Sequence, residues 1–436
     1  MHPALLPLAL TLLFGEAPAP APTASQTTAF VGAHLIPIAS DELADGVLIV
    51  TDGKIAALGA RGSVAIPDGA TVVDASGRIL MPGLVDTHSH VGGGWAADDS
   101  APIQPDVSVY DAIDVRNSGF QRAQAGGITT ANVMPGSGHL MSGQTAYLKL
   151  TDANAIDGWA IRDADGKRLG GMKMANGTNS RREPPFPGTR GKSAALVREV
   201  FLEAQAYQAK LERAKTDPDK ATERDLGMEA LVEVLEGKRI VHHHTHRHDD
   251  IMTVLRLKEE FGFRVVLHHV SEAWKVADEI AAAGVPCSLI LVDSPGGKLE
   301  ARDVGFETGG ILERAGVKVA FHTDDWITDS RHFLRMAALA VRAGMSRDGA
   351  LRALTLEPAA MLDLADRIGS LEVGKDADLI LLDGDPFSVY TQVQETWVEG
   401  KRVFDRSDEK DRLWAVGGLG AGQSRAFTSC CDGEGN

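Results

Sequence analysis

Leu84-Val85-Asp86-Thr87-His88-Ser89-His90 closes an apolar run that begins at Ile79. Alternate side chains of a strand share a face, so His88 and His90 point the same way, roughly 6–7 Å apart. That spacing lets two neutral imidazoles reach one metal ion. An isolated HxH pair carries little weight, because most such pairs are surface histidines. The rest of the chain changes the odds: it places further metal-ligand residue types at the ends of other strand-like runs.

Outward from this stretch, strand and helix patterns alternate. Strands are expected near 84–90, 128–134, 145–150, 171–175, 239–245, 264–269, 285–292 and 317–323. Helices are expected at 117–125, 193–214, 249–261, 272–283 and 309–315, with 333–342 and 347–354 closing the set. In the 193–214 segment Val197, Val200, Phe201, Ala204 and Tyr207 follow a 3.6-residue period. Strand–helix alternation implies a parallel sheet, and eight strands imply an α/β fold with a (β/α)8 TIM-like barrel. The third strand has the weakest pattern, and residues 151–170 fit a hairpin excursion. The Gly-, Pro- and Arg-rich loop 177–192 follows the fourth strand, so it would lie at the C-terminal mouth, where barrel active sites form.

The ends of the chain read differently. In 28–80, Val47-Leu48-Ile49-Val50 leads to Asp52-Gly53, a hairpin signal, and Lys54-Ile55-Ala56-Ala57-Leu58 returns. In 369–415, Leu379-Ile380-Leu381-Leu382 is followed by a second hairpin through Glu399-Gly400. These two segments are expected to pair as one small β-sandwich, with the barrel of 81–368 inserted in it. Residues 4–14 are apolar and are followed by an Ala/Pro-rich stretch, so 1–27 reads as an export signal and linker. It lacks a basic start, since no Lys or Arg precedes Lys54, and Pro7 interrupts it. Export to the periplasm or exterior is expected, with a cytoplasmic location as the alternative. Residues 416–436 read as a flexible tail.

The chain has 436 residues, 44% hydrophobic and 24% charged, enough for a large buried core. Its net charge of −16 argues against a nucleic-acid partner, which needs a basic footprint. No segment is long enough to span a bilayer. A small-molecule substrate is the expected partner, and a homo-oligomer stays open. The three cysteines, Cys287, Cys430 and Cys431, form no disulfide framework or zinc pattern.

Four more groups accompany the HxH pair. Val241-His242-His243-His244-Thr245-His246-Arg247-His248 ends the fifth strand, and by parity His242, His244 and His246 share a face. Each histidine there is as readily a hydrogen-bonded support as a ligand. Val265-Val266-Leu267-His268-His269 ends the sixth, where parity lets only one histidine face inward. Asp324, after Val319-Ala320-Phe321-His322-Thr323, stands at the barrel rim as a helix cap or a catalytic carboxylate. Lys173 lies in Gly171-Met172-Lys173-Met174. A buried lysine loses its charge readily, and the neutral amine can take up CO2 as a carbamate that bridges two cations. Lys149 competes for that role, and a lysine that snorkels to the rim is the plainer reading of either.

Gly53-Lys54-Ile55, Met81-Pro82-Gly83-Leu84-Val85-Asp86-Thr87-His88-Ser89-His90, Thr323-Asp324 and Gly369-Ser370-Leu371-Glu372-Val373-Gly374-Lys375-Asp376-Ala377-Asp378-Leu379 together resemble the amidohydrolase superfamily, in its imidazolonepropionase- and prolidase-related branch. The resemblance covers about residues 28–405. It implies a distorted barrel with a β-sandwich from both chain ends. It also implies metal ligands at His88, His90, Lys173, His244, His269 and Asp324, with Lys173 carboxylated. The cofactor would be Zn2+, two ions per chain, with Mn2+, Fe2+ or Co2+ as alternatives. Asp324 would act as general base toward a water shared by the cations, and His244, His246 or Arg247 would hold the substrate. Relatives tend to carry an acidic residue after the lysine strand, where this chain has Gly177-Thr178-Asn179. That departure leaves a single-metal site open.

The implied reaction is hydrolysis of an amide C–N bond in a dipeptide, an N-acyl amino acid or a cyclic amide. A lactone or ester is the nearest alternative. Deamination is disfavoured, because the glutamate that deaminases of the superfamily carry three residues after the fifth-strand histidine is Arg247 here. A non-enzymatic, histidine-rich metal-binding protein of the cell envelope is the competing class.

Overall fold

Asp52 and Gly53 both adopt positive φ, 49° and 79°, as a two-residue hairpin turn between right-twisted strands requires. They join β2 (Leu43–Thr51) to β3 (Lys54–Ala60), and β2 pairs antiparallel with β1 (Thr27–Leu35). Two short strands, β4 (Thr71–Asp74) and β5 (Ile79–Pro82), lie parallel to successive halves of β1. The computed structural model describes residues 26–93, 97–220, 222–291, 298–325 and 327–417. The segment read as an export signal and most of the expected tail lie outside them.

The chain then enters the barrel. β6 (Leu84–Ser89) pairs parallel with β7 (Ile128–Val133). The third stave departs from the expected parallel order. It is the stretch 141–149, made of β8 (Met141–Gln144) and β9 (Ala146–Lys149), with β9 antiparallel to β7. On its other side β8 is antiparallel to β10 (Met172–Ala175). The reason is length: residues 134–140 are too few for the crossover of a dozen or more that a parallel neighbour needs. Residues 150–171 form the hairpin excursion, with an antiparallel bridge between Arg162 and Arg168. The remaining staves are parallel: β10, β11 (Val241–Thr245), β12 (Val265–His269), β13 (Cys287–Leu289) and β14 (Val319–Phe321).

Two sheets therefore make up this TIM-barrel-type unit, β6-β7-β9 and β14-β13-β12-β11-β10-β8. Where β14 meets β6 the join is not a ladder. Asp324 N donates to His88 O at 2.9 Å, and Thr323 donates to Asp86 through its amide (3.1 Å) and its hydroxyl. The helix Arg190–Thr216 buries Val197, Val200, Phe201, Ala204 and Tyr207, the residues of its 3.6 period. Phe201 stacks on Phe261 and Phe263 at ring separations of 5.1 and 5.2 Å. No helix of the described residues is long and apolar enough to cross a membrane.

At the far end β15 (Leu379–Leu382) pairs antiparallel with β5, and β16 (Val393–Val398) and β17 (Lys401–Asp405) continue the ladder. Both chain ends thus share one hydrogen-bonded sheet of eight strands. Phe30 on β1 and Trp397 on β16 are three strand spacings apart in the ladder, about 14 Å in a flat sheet. Their ring centroids are 5.0 Å apart, so the sheet curls over a core of Phe30, Leu35, Leu48, Leu80, Leu379 and Leu381. The helix Glu409–Val416 follows, capped by Asp408. The sequence reading gave no helix there.

Lys149 belongs to the contact between barrel and sheet. Its Nζ donates to Asp376 Oδ2 at 2.8 Å and to Asp378, while Lys54 holds the other oxygen of Asp376. Burial works against the Lys149 charge, but Asp378 and Asp376 outweigh it and hold its pKa above the ordinary lysine value. Lys149 is therefore not placed as a bridge between cations. Lys149→Met would leave the buried Asp378 without its cation and Asp376 with Lys54 and Arg367, and should lower the unfolding free energy by about 3–5 kcal/mol. Denaturant unfolding reads that loss, and tightly held metal per chain should stay unchanged.

Candidate metal centre

The C-terminal ends of β6, β11, β12 and β14 bring a histidine cluster together at the barrel mouth, and β10 adds Lys173. His88 is fully buried. The rings of His322, His269, His268 and His90 surround it at centroid distances of 4.8 to 5.0 Å. His90 Nδ1 contacts Met134 O at 2.8 Å. A carbonyl only accepts, so this nitrogen donates, and Nε2 is the atom turned toward the site. The Nε2 atoms of His88 and His90 stand 3.3 Å apart, and both approach Asp324 Oδ1, at 3.3 and 2.9 Å. Lys173 Nζ is 3.0 Å from His88 Nε2 and shares the site with Met134 Sδ at 3.1 Å.

Burial sets the protonation of these groups. It pushes the pKa of His242, His246 and His322 down to about 3, and those of His88, His244, His268 and His269 well below the ordinary value. The imidazoles are neutral at pH 7, the form that binds metal. Burial lowers Lys173 to about 7, against the opposing pull of Asp324. For Asp324, burial alone would raise the carboxyl, but His90, His322 and Lys173 together outweigh it and keep the pKa below the usual aspartate value. Asp86, fully buried, is pushed up to about 7, although donors from Thr323 and His88 N pull the other way.

Parity accounts for only part of the arrangement. His244 and His246 do share a face: their rings are 4.7 Å apart, and both lie against His269, at 4.3 and 5.1 Å. His242 points inward one layer deeper, bonded to Tyr147 Oη (2.8 Å) and His268 (3.0 Å). Contrary to the parity expectation, both His268 and His269 reach His88. Positive φ at His269 (69°) and Val270 (42°) breaks the extended alternation there. Arg247 lies elsewhere: its guanidinium is half-exposed and bound to Asp249 by two contacts of 2.9 Å.

Two residues of the cluster were not picked out by the sequence reading. His322 contacts His269 Nδ1 at 3.2 Å and Ser288 Oγ at 2.8 Å. Its signal was present, since it lies two residues before Asp324 at a strand end. Glu300 comes from the loop after β13, where no periodicity marks it. Its side chain is buried.

A metal fits these residues by an observation independent of resemblance. His88 Nδ1, both ring nitrogens of His244, His246 Nε2, His268 Nδ1, His269 Nε2 and Glu300 Oε1 are buried without a hydrogen-bond partner. Each such atom costs about 1–3 kcal/mol, so their gathering at one mouth fits a Lewis acid. Ligand atoms of His88, His268 and His322, of His88, His269 and Asp324, and of His244, His246 and Glu300 lie within 4.8 Å of one another.

The profile of the Amidohydrolase family matches residues 79–404. A crystal structure of an amidohydrolase from Thermotoga maritima superposes with a TM-score of 0.81 at 33% identity, over 87% of this chain and all of that one. Imidazolonepropionase of Sphingopyxis alaskensis is 26% identical over 82% of this chain and 92% of its own. Amidohydrolase tasK of Hapsidospora irregularis is 28% identical over 78% of this chain, but that stretch is 38% of the relative's own length.

Proposed function

The chain belongs to the amidohydrolase family, and we propose from this premise that it hydrolyses an amide C–N bond in a dipeptide, an N-acyl amino acid or a cyclic amide. The observation that carries the reading is the convergence of His88, His90 and Asp324 on one buried point with Lys173 beside it. His88, His90, Lys173, His244, His269 and Asp324 would hold Zn2+ or a similar divalent ion, with Lys173 as its carbamate. Such an ion supplies Lewis acidity toward a carbonyl and toward water.

The chain's own groups supply the rest. Asp324, ionised and fixed beside His90, takes a proton from the attacking water at its carboxylate and returns it to the leaving nitrogen. Of the three candidates for substrate contact, His244 is assigned above to the ion, His246 keeps Nε2 unpartnered inside the cluster, and Arg247 is committed to Asp249. The same Arg247 occupies the position where deamination would need a carboxylate. The similarity to an imidazolonepropionase favours a cyclic amide within the proposed class.

A panel of dipeptides, N-acyl amino acids, cyclic amides and lactones, run on zinc- or manganese-loaded protein, tests the reading. Turnover is expected on one of the amide classes. Activity confined to lactones or to ammonia release from amino-substituted rings would overturn it.

A further inference from the structure

Glu300 is a buried carboxylate with one half of its bonding capacity unused. Oε2 accepts from Thr178 N at 2.9 Å and from Arg190 Nη2 at 3.4 Å. Oε1 has no partner. The clamp around Oε2 is itself held in place by its neighbours. Arg190 is bound by both oxygens of Asp250, each at 2.9 Å. Gly177, at φ +74°, leaves open the space that Glu300 fills, since a Cβ there would stand 2.7 Å from Oε2. The 177–179 loop carries no acidic residue, and Glu300 brings one to it from across the mouth.

His246 is fixed in a comparable way. Its Nδ1 contacts Ser271 Oγ at 2.8 Å, and Nε2 is left without a partner. In His244 both ring nitrogens are unpartnered. One ligand atom from each of His244, His246 and Glu300 lies within 4.8 Å of the others. Two neutral imidazoles and one carboxylate form a donor set suited to zinc or another borderline divalent ion, which leaves a position open to solvent or substrate. Lys298 is the positive side chain that acts on His244 and His246 from this loop, and burial, against the pull of Glu300 and Asp324, holds its pKa below the ordinary lysine value.

We propose that Glu300, with His244 and His246, forms a cation site at the outer edge of the mouth, distinct from the point where His88, His90 and Asp324 converge. His246 is then a ligand rather than a substrate contact. The assignment rests on the metal-dependent reading above and adds a ligand that the fifth- and sixth-strand histidines alone do not supply.

Glu300→Gln keeps the size of the side chain and an acceptor for Thr178 N while removing the charge. His246→Asn tests the same site from the opposite strand end. Each variant and the wild-type chain are stripped with chelator, loaded with Co2+ and passed through a desalting column. Cobalt per chain is then measured by elemental analysis, and the visible d–d absorption is recorded. Both variants should retain about one cation fewer per chain, with the weaker site loosened roughly 100-fold in chelator competition. The absorption of the remaining ion should match the wild type's inner site. Equal cobalt content and an unchanged spectrum in both variants would overturn the proposal. If Glu300→Gln is too unstable to purify, the same result in His246→Asn alone would overturn it. A wild-type chain that holds no cobalt at all would overturn the metal-dependent reading together with this one.

Discussion

Asp324→Asn should reduce turnover by about 1,000-fold or more, the size of effect expected when a positioned proton acceptor is lost. The substitution is chosen for the backbone as well as the chemistry. Asp324 sits at φ 49°, a left-handed conformation that Asn tolerates nearly as well as Asp and that Ala does not. The fold should therefore survive, and a far-ultraviolet circular dichroism spectrum like the wild type's would confirm it. What is lost is the negative charge that faces His90 and His88 and the capacity to carry a proton from water to the leaving nitrogen. Metal content should fall as well. If the Asp324→Asn variant held its full zinc complement and kept its kcat, Asp324 would be neither ligand nor base.

The second large effect is at Lys173. Lys173→Ala should lower both metal content and activity, by about 100-fold or more in rate. Short carboxylic acids should restore part of each by occupying the vacated space. The chemistry proposed for the wild-type amine is addition to CO2: nitrogen bonds to carbon, one proton is released, and a carbamate results. Only the neutral amine can do this. Burial brings the pKa to about 7, so below that value the ammonium blocks the reaction and above it the amine is free. Zinc uptake in bicarbonate buffer should therefore rise from about pH 6 to about pH 8. An ordinary lysine would show no such rise in that range. The same shift acts on stability. Between about 7 and the ordinary value of 10.5 the unfolded chain binds more protons than the folded one, so the metal-free protein should gain stability as pH rises through that window. Its denaturant midpoint measures this. A Lys173→Ala chain with full metal and full rate would remove the lysine from the site.

Periodicity made the framework legible. The apolar repeat of 193–214 and the Asp52-Gly53 hairpin depend on neighbours in sequence, and both are found. His88, His90 and Asp324 were also within reach, because a strand end fixes which face its side chains take. The antiparallel third stave was not recovered, although the shortness of 134–140 was there to be read. His269 escaped the parity rule because its backbone turns left-handed under tertiary constraint, which no local pattern announces. Glu300 was invisible for a different reason. Its place is set by Thr178, Arg190 and Gly177, which are more than a hundred residues away.

The weak join between β14 and β6 has a mechanical consequence. One staple of the ring is the Asp324 N to His88 O hydrogen bond, and another is the Asp86–Thr323 pair. The same few residues contribute the imidazole and the carboxylate that converge at the mouth. An ion held by His88, His90 and Asp324 would rivet one three-stranded panel to the six-stranded one across this seam. Its binding free energy would then count as closure energy for the whole ring.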